Sequence, residues 1–183
     1  MQKTILSIIA LTLFGLANAQ INSSGACPSP AAQSNFNLYA YMGTFYEYAK
    51  YPSALEGNSK CVKAVHTQPS ENVMYTVDTL VDPTTGKSSD YGANATQISS
   101  GKFMIYYPGE VTPTSFSVLF TDYISYAVVY TCEPASGNTH NTWIWIFTRE
   151  RVPSAATVAK AKNVVSSSGF DLSPLTVTDQ SNC

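Results

Sequence analysis

Eight short segments rich in β-branched and aromatic residues follow one another between Gly43 and Thr148, most of them joined by turns of hairpin length. Val73–Val81 alternates apolar and polar residues well. Cys61–Gln68, Ser89–Ile98, Lys102–Tyr107, Ser115–Thr121, Tyr126–Cys132 and Thr142–Thr148 follow the same pattern less strictly. Pro69-Ser-Glu-Asn72, Asp82-Pro-Thr-Thr-Gly86, Ser99-Ser-Gly101 and Pro108-Gly109 punctuate them. Consecutive strands with tight turns pair antiparallel, so the chain is all-β, either an up-and-down barrel or a sandwich. Only Ser154–Ser168 departs from this: it is Ala-rich, free of Gly and Pro, preceded by Pro153 and followed by Gly169. With Ser154 as cap and Gly169 as terminator it reads as one helix after the strands.

The ends of the chain set its compartment. Lys3, the apolar run Ile5–Leu16 and Ala17-Asn18-Ala19 compose a secretory signal peptide over residues 1–19. Residues 20–183 then form one domain, with no other apolar run long enough to span a membrane. Cys27, Cys61, Cys132 and Cys183 are an even set in a secreted chain, which implies two disulfides with three possible pairings. Residues 20–34 look like an extended arm held only by Cys27, and Phe170–Cys183 like a polar tail held by its last residue. Asn22-Ser-Ser and Asn94-Ala-Thr are glycosylation sequons. Charged residues are 12 % of the chain, about half the usual share, and no basic patch exists, so nucleic acid is not a partner.

The stretch Asn35–Pro52 carries a family signature. Asn35-Phe36, then Gly43-Thr44-Phe45-Tyr46, resembles the first lipocalin motif, with Phe45 in the tryptophan position. Thr121-Asp122-Tyr123 resembles the second motif, and Trp145-Ile-Phe-Thr-Arg149 the third, with Arg149 in the arginine position. Gly25-Ala-Cys-Pro28 and Ala49-Lys-Tyr-Pro52 look like the branch of insect bilin-binding proteins and apolipoprotein D. The resemblance implies an eight-stranded antiparallel β-barrel with the C-terminal helix packed outside it. It also implies the bridges Cys27–Cys132 and Cys61–Cys183, and Arg149 packed across the Phe45 ring at the closed end. The competing fold is an immunoglobulin-like sandwich, against which the trailing helix and terminal cysteine argue.

A barrel of this kind holds either side chains or one small ligand. With Cys132 facing outward, alternation turns Val129 and Thr131 inward, and the same logic gives Trp143, Trp145 and Phe147 as one wall. Phe103, Ile105 and Tyr107 are a second wall, and Val73, Tyr75, Val77 and Thr79 a third. Glu47 is inward by parity, either as a polar pocket group or as a buried carboxyl bonded to a tyrosine. Tyr46, Tyr48 and Lys50 fall on the other side. His66 and His140 read as surface residues, since neither has companions at metal-ligand spacing, and Asp122 reads as a turn residue bonding backbone amides.

The expected function is secreted transport of a small hydrophobic ligand: a lipid, retinoid, pheromone-like molecule or biliverdin. No cofactor is required, and biliverdin is a candidate bound chromophore. The apolar walls favour a colourless lipid over biliverdin, with Lys63 and Lys102 as candidate rim cations. An enzyme acting on a lipid is the first alternative; no catalytic motif and no spare thiol support it. An adhesion module with a filled barrel is the second. The sequence names neither a cell-surface receptor nor a homo-oligomer contact.

Overall fold

The computed structural model describes residues 21–54, 56–109 and 111–183; the expected signal peptide lies outside them. Eight strands form the barrel: β2 (Gly43–Lys50), β3 (Lys60–Ser70), β4 (Val73–Val81), β5 (Ser88–Ser99), β6 (Lys102–Tyr106), β7 (Thr114–Thr121), β8 (Tyr126–Ala135) and β9 (Thr139–Thr148). Each pairs antiparallel with the next, and β2 pairs with β9 to close the ring. A sandwich is thereby excluded. Helix α2 (Ala155–Ser167) packs outside, its first turn capped by the Ser154 hydroxyl accepting from Thr157 N at 3.1 Å. Ala161 and Val165 are its buried face, set against Val128, Tyr130, Ile144 and Ile146 on the outer surface of β8 and β9.

Two short strands escaped the sequence reading. β1 (Ile21–Ser24) pairs with the upper end of β9, so the N-terminal arm is held by a ladder as well as by Cys27. β10 (Thr176–Val177) pairs with Ala49 and Lys50 of β2. There β2 has already parted from β3, whose register with it ends at Tyr46–Lys63. The tail fills the gap: Cys61 N donates to Asp179 O, and the Gln180 amide donates to Glu47 O at 2.9 Å and Val62 O at 2.7 Å. Too short and polar to register as a strand, the tail becomes one through the partners it meets.

The bridges are Cys27–Cys132 and Cys61–Cys183. They span 105 and 122 residues, so each removes loop entropy from the unfolded chain worth on the order of 4 kcal/mol.

The closed end is built on Arg149. Helix α1 (Leu38–Tyr41), capped by the Asn37 side chain, lies across the barrel's base. Arg149 donates to the carbonyls of Tyr41 (3.0 Å), Met42 (2.8 Å), Thr44 (2.9 Å) and Tyr123 (3.0 Å). Its guanidinium lies 3.7 Å from the Phe45 ring centre, so phenylalanine keeps the contact the motif calls for. Gly43 is obligatory here: its φ is +99°, and a Cβ would stand 3.2 Å from an Arg149 nitrogen. Asp122 accepts from Ser125 N and Tyr126 N, which fixes the adjoining turn as the sequence implied.

Arg149→Met should destabilise the protein by on the order of 3 kcal/mol or more, because several carbonyls lose their donor at once. Urea unfolding measures this, and Arg149→Lys should recover only part of it, an ammonium being unable to reach all of them. An unchanged unfolding midpoint in the Met variant would contradict this account of the closed end.

Candidate functional site

The barrel interior divides into a packed base and a more open upper part. Phe36, Tyr41, Phe45, Met74, Phe103 and Val118 fill the base and are all buried. Phe36 sits edge-on to Phe103 at 5.6 Å, and Tyr41 lies 5.0 Å from Phe45. Higher up, Trp143, Trp145 and Phe147 on β9 and Phe116 on β7 face inward yet remain partly exposed. Their outward neighbours Ile144 and Ile146 are fully buried under α2. In this wall the inner face reaches solvent more than the outer one does.

Several expected wall residues hold their places. Phe103 and Ile105 face inward and are buried, as are Val129 and Thr131. Tyr107 follows in the same alternation at the rim, 39 % exposed. The β4 wall is the reverse of the expectation. Asp78 pairs with Ala64 and Thr76 with His66, so the inward set is Met74, Thr76 and Asp78. Val73, Tyr75, Val77 and Thr79 face outward, with the Tyr75 ring lying over Gly92. Both parities of β4 carry apolar residues, so alternation alone could not choose between them. Lys63 pairs with the outward Tyr46, and Lys102 with the outward Ser117, so neither lines the wall.

Period two fails on β2 for a different reason. A register shift between Glu47 and Ala49 lets Glu47 pair with Phe147 and Lys50 with Trp145, both inward residues of β9. Glu47 and Lys50 therefore share the interior, three positions apart. Lys50 Nζ lies 3.2 Å from Glu47 Oε1 and 2.5 Å from Glu56 Oε2. Glu56, in the loop between β2 and β3, turns down into the barrel and accepts from the Trp145 indole at 2.8 Å. Thr178 of the tail donates to Glu47 Oε1, while Glu47 Oε2 is buried without a partner. Glu47 is thus a buried, bonded carboxyl, its partners being a lysine and a threonine instead of a tyrosine. Burial, and then the Glu56 charge, push its pKa up to about 8 against the opposing pull of Lys50. Asp78, which accepts from Thr76 at 3.0 Å, is pushed up to about 6, chiefly by burial. Among the described residues no three His, Cys, Asp or Glu side chains converge to hold a metal ion.

Neither histidine is at the surface. His140 is 5 % exposed and bonds Gly25 O at 2.9 Å, fastening the N-terminal arm. His66 is 8 % exposed, stacked on Tyr41 at 5.3 Å, with Nδ1 unpartnered. Burial, and secondarily Arg149, push its pKa down to about 3. A histidine neutral when folded but protonated near pH 6.5 when unfolded loses stability as pH falls through that window. Between pH 6.5 and 3 this one group removes about 1.4 kcal/mol per pH unit. The stability of His66→Phe should accordingly rise relative to the wild type at about that slope on acidification. Parallel pH profiles for the two proteins, measured by urea unfolding, would refute it.

Comparison with known proteins agrees with this geometry. The family model described as the lipocalin / cytosolic fatty-acid binding protein family matches residues 42–182. Apolipoprotein D of Macaca fascicularis is 32 % identical over 177 residues, covering 93 % of this chain and 91 % of its own. Bilin-binding protein of Pieris brassicae is 30 % identical over 153 residues, covering 79 % and 78 %. The solved structure of insecticyanin from Manduca sexta shares the fold, with a TM-score of 0.80 at 24 % identity over 90 % of this chain and 91 % of that one. A closed antiparallel barrel, an arginine seated on the aromatic residue of the first barrel strand and a family match across most of the chain converge: the protein belongs to the lipocalin family, on the branch of apolipoprotein D and the bilin-binding proteins.

Proposed function

We propose that the protein is a secreted carrier that binds one small hydrophobic molecule in its barrel and performs no catalysis. The observation that carries this reading is the inverted exposure of β9, whose inward Trp143, Trp145 and Phe147 remain partly open while outward Ile144 and Ile146 are sealed. A barrel filled for structure alone would bury the inner aromatics first, since apolar burial is what stabilises it. The packed base and the partly open, aromatic-lined upper half suit a ligand entering from the open end. Both tryptophans of the chain lie on this wall. Secretion fits the two bridges and the leader-like N-terminus, and no helix among the described residues is long and apolar enough to cross a membrane. Exposed Asn94 is proposed as a glycan site; the Asn22 amide is already engaged with Thr139 and Asn141.

Retinoids, sterols and pheromone-like molecules fit the aromatic wall. Biliverdin stands beside them, because one relative is a bilin-binding protein. Protein purified from its natural fluid distinguishes these by its visible spectrum, tetrapyrrole bands marking biliverdin. For the carrier reading itself, retinol should quench the tryptophan fluorescence with saturation, and Trp145→Glu should weaken binding at least tenfold. Absence of saturable binding by retinol and biliverdin alike, in protein with a native circular dichroism spectrum, would favour the adhesion module.

A further inference from the structure

The interior of the barrel is charged, and its charges are unequal. Among the described residues Glu47, Glu56 and Asp78 contribute three carboxyl groups, against one ammonium, Lys50. That ammonium is already held by Glu47 and Glu56. Other cations of the barrel strands and its base are turned away or held: Lys63 and Lys102 face outward, Lys60 Nζ donates to Ser181 O at 3.3 Å, and Arg149 is committed to backbone carbonyls at the base. His66 stays neutral near pH 7, as its depressed pKa requires.

One carboxyl oxygen in this cluster is unpartnered, and its acid, with a pKa pushed up to about 8 by burial and then by Glu56, is largely protonated at pH 7 before any ligand binds. Glu47 is 1 % exposed, its Oε1 takes Thr178 and Lys50, and its Oε2 has no partner. A buried oxygen without a hydrogen-bond partner is destabilising, and a suitable ligand group relieves this on binding. Among the described residues Asp78 accepts only the Thr76 hydroxyl. Phe147 stands opposite Glu47, and Trp145 stands opposite Lys50 with its indole on Glu56, so aromatic faces that suit an apolar body or a cation lie beside these groups.

We infer that the ligand carries a nitrogen head group that donates hydrogen bonds, an ammonium being its simplest form, which meets Glu47 Oε2 inside the barrel, and that anionic head groups are excluded from this depth. The inference rests on the carrier reading and narrows it to nitrogenous amphiphiles. An ammonium beside Oε2 favours the ionised form of Glu47, so the acid releases its proton to solvent on binding and the ammonium gains a charge-assisted bond to the carboxylate, with the Glu56 and Asp78 charges adding attraction from farther off. A fatty-acid carboxylate inside the barrel meets the Glu56 and Asp78 charges and, among the described residues named above, no cation free to pair with it.

Three probes with one ten-carbon chain separate the possibilities: decylammonium, decan-1-ol and decanoate, titrated below their aggregation limits at pH 7 against tryptophan fluorescence. Decylammonium should bind at least tenfold more tightly than decanoate. In Glu47→Gln, or in Asp78→Asn should the first variant fold poorly by near-ultraviolet circular dichroism, the ratio should fall at least threefold. Decanoate binding as tightly as decylammonium in the wild type, with decanol also bound, overturns the head-group inference and leaves the carrier reading standing. An undiminished ratio in both variants overturns it as well. No binding by any of the three, decanol included, overturns this inference, and the carrier reading falls with it only if retinol and biliverdin also fail to bind.

Discussion

The seat of Arg149 is the constraint on which the barrel depends. The β2–β9 ladder closes the ring, and at its base one guanidinium ties the parts together by collecting carbonyls from α1, from β2 and from the turn before β8. Those carbonyls lie where helix and strand ladders run out, so without a donor each would be left unsatisfied. Phe45 closes the guanidinium from one side, and Gly43 gives it room. The planar fork of arginine matches this task in a way a lysine cannot.

The upper half is organised by an irregularity. The bulge between Glu47 and Ala49 turns Lys50 inward and lets β2 leave β3. Into that space comes the C-terminal tail, pinned by Cys61–Cys183 and stitched by Gln180 to both strands. The bulge, the tail and the loop carrying Glu56 together bring Glu47, Lys50, Glu56 and Thr178 to one place. A buried ionic group of this kind adds little net stability, because desolvation offsets most of its attraction. Its consequence lies instead in what the cavity accepts.

Much of the fold was legible in the residues because it is written in local chemistry. Turn residues placed the hairpins, Ser154 and Gly169 bounded the helix, and alternation on β6, β8 and β9 put Phe103, Ile105, Val129, Thr131, Trp143 and Trp145 on the inner face. Asp122 was recognisable as a turn residue because its carboxyl bonds amides only a few positions away.

Tertiary structure decided the rest, wherever local pattern was silent or ambiguous. β4 carries apolar residues on both parities, so only its register against β3 sends Val73, Tyr75, Val77 and Thr79 outward and Thr76 and Asp78 inward. A bulge shifts parity by one residue without a sequence mark, which is why Lys50 reads as outward and stands inside. His66 looks like a solvated histidine until Tyr41 and Phe45 arrive from a distant segment to bury it. The sequence by itself determined a disulfide-tied lipocalin barrel with an aromatic wall. Long-range pairing alone determined that the same barrel holds an acidic interior, since its carboxyl groups come from a strand, a loop and a second strand that meet only on closure.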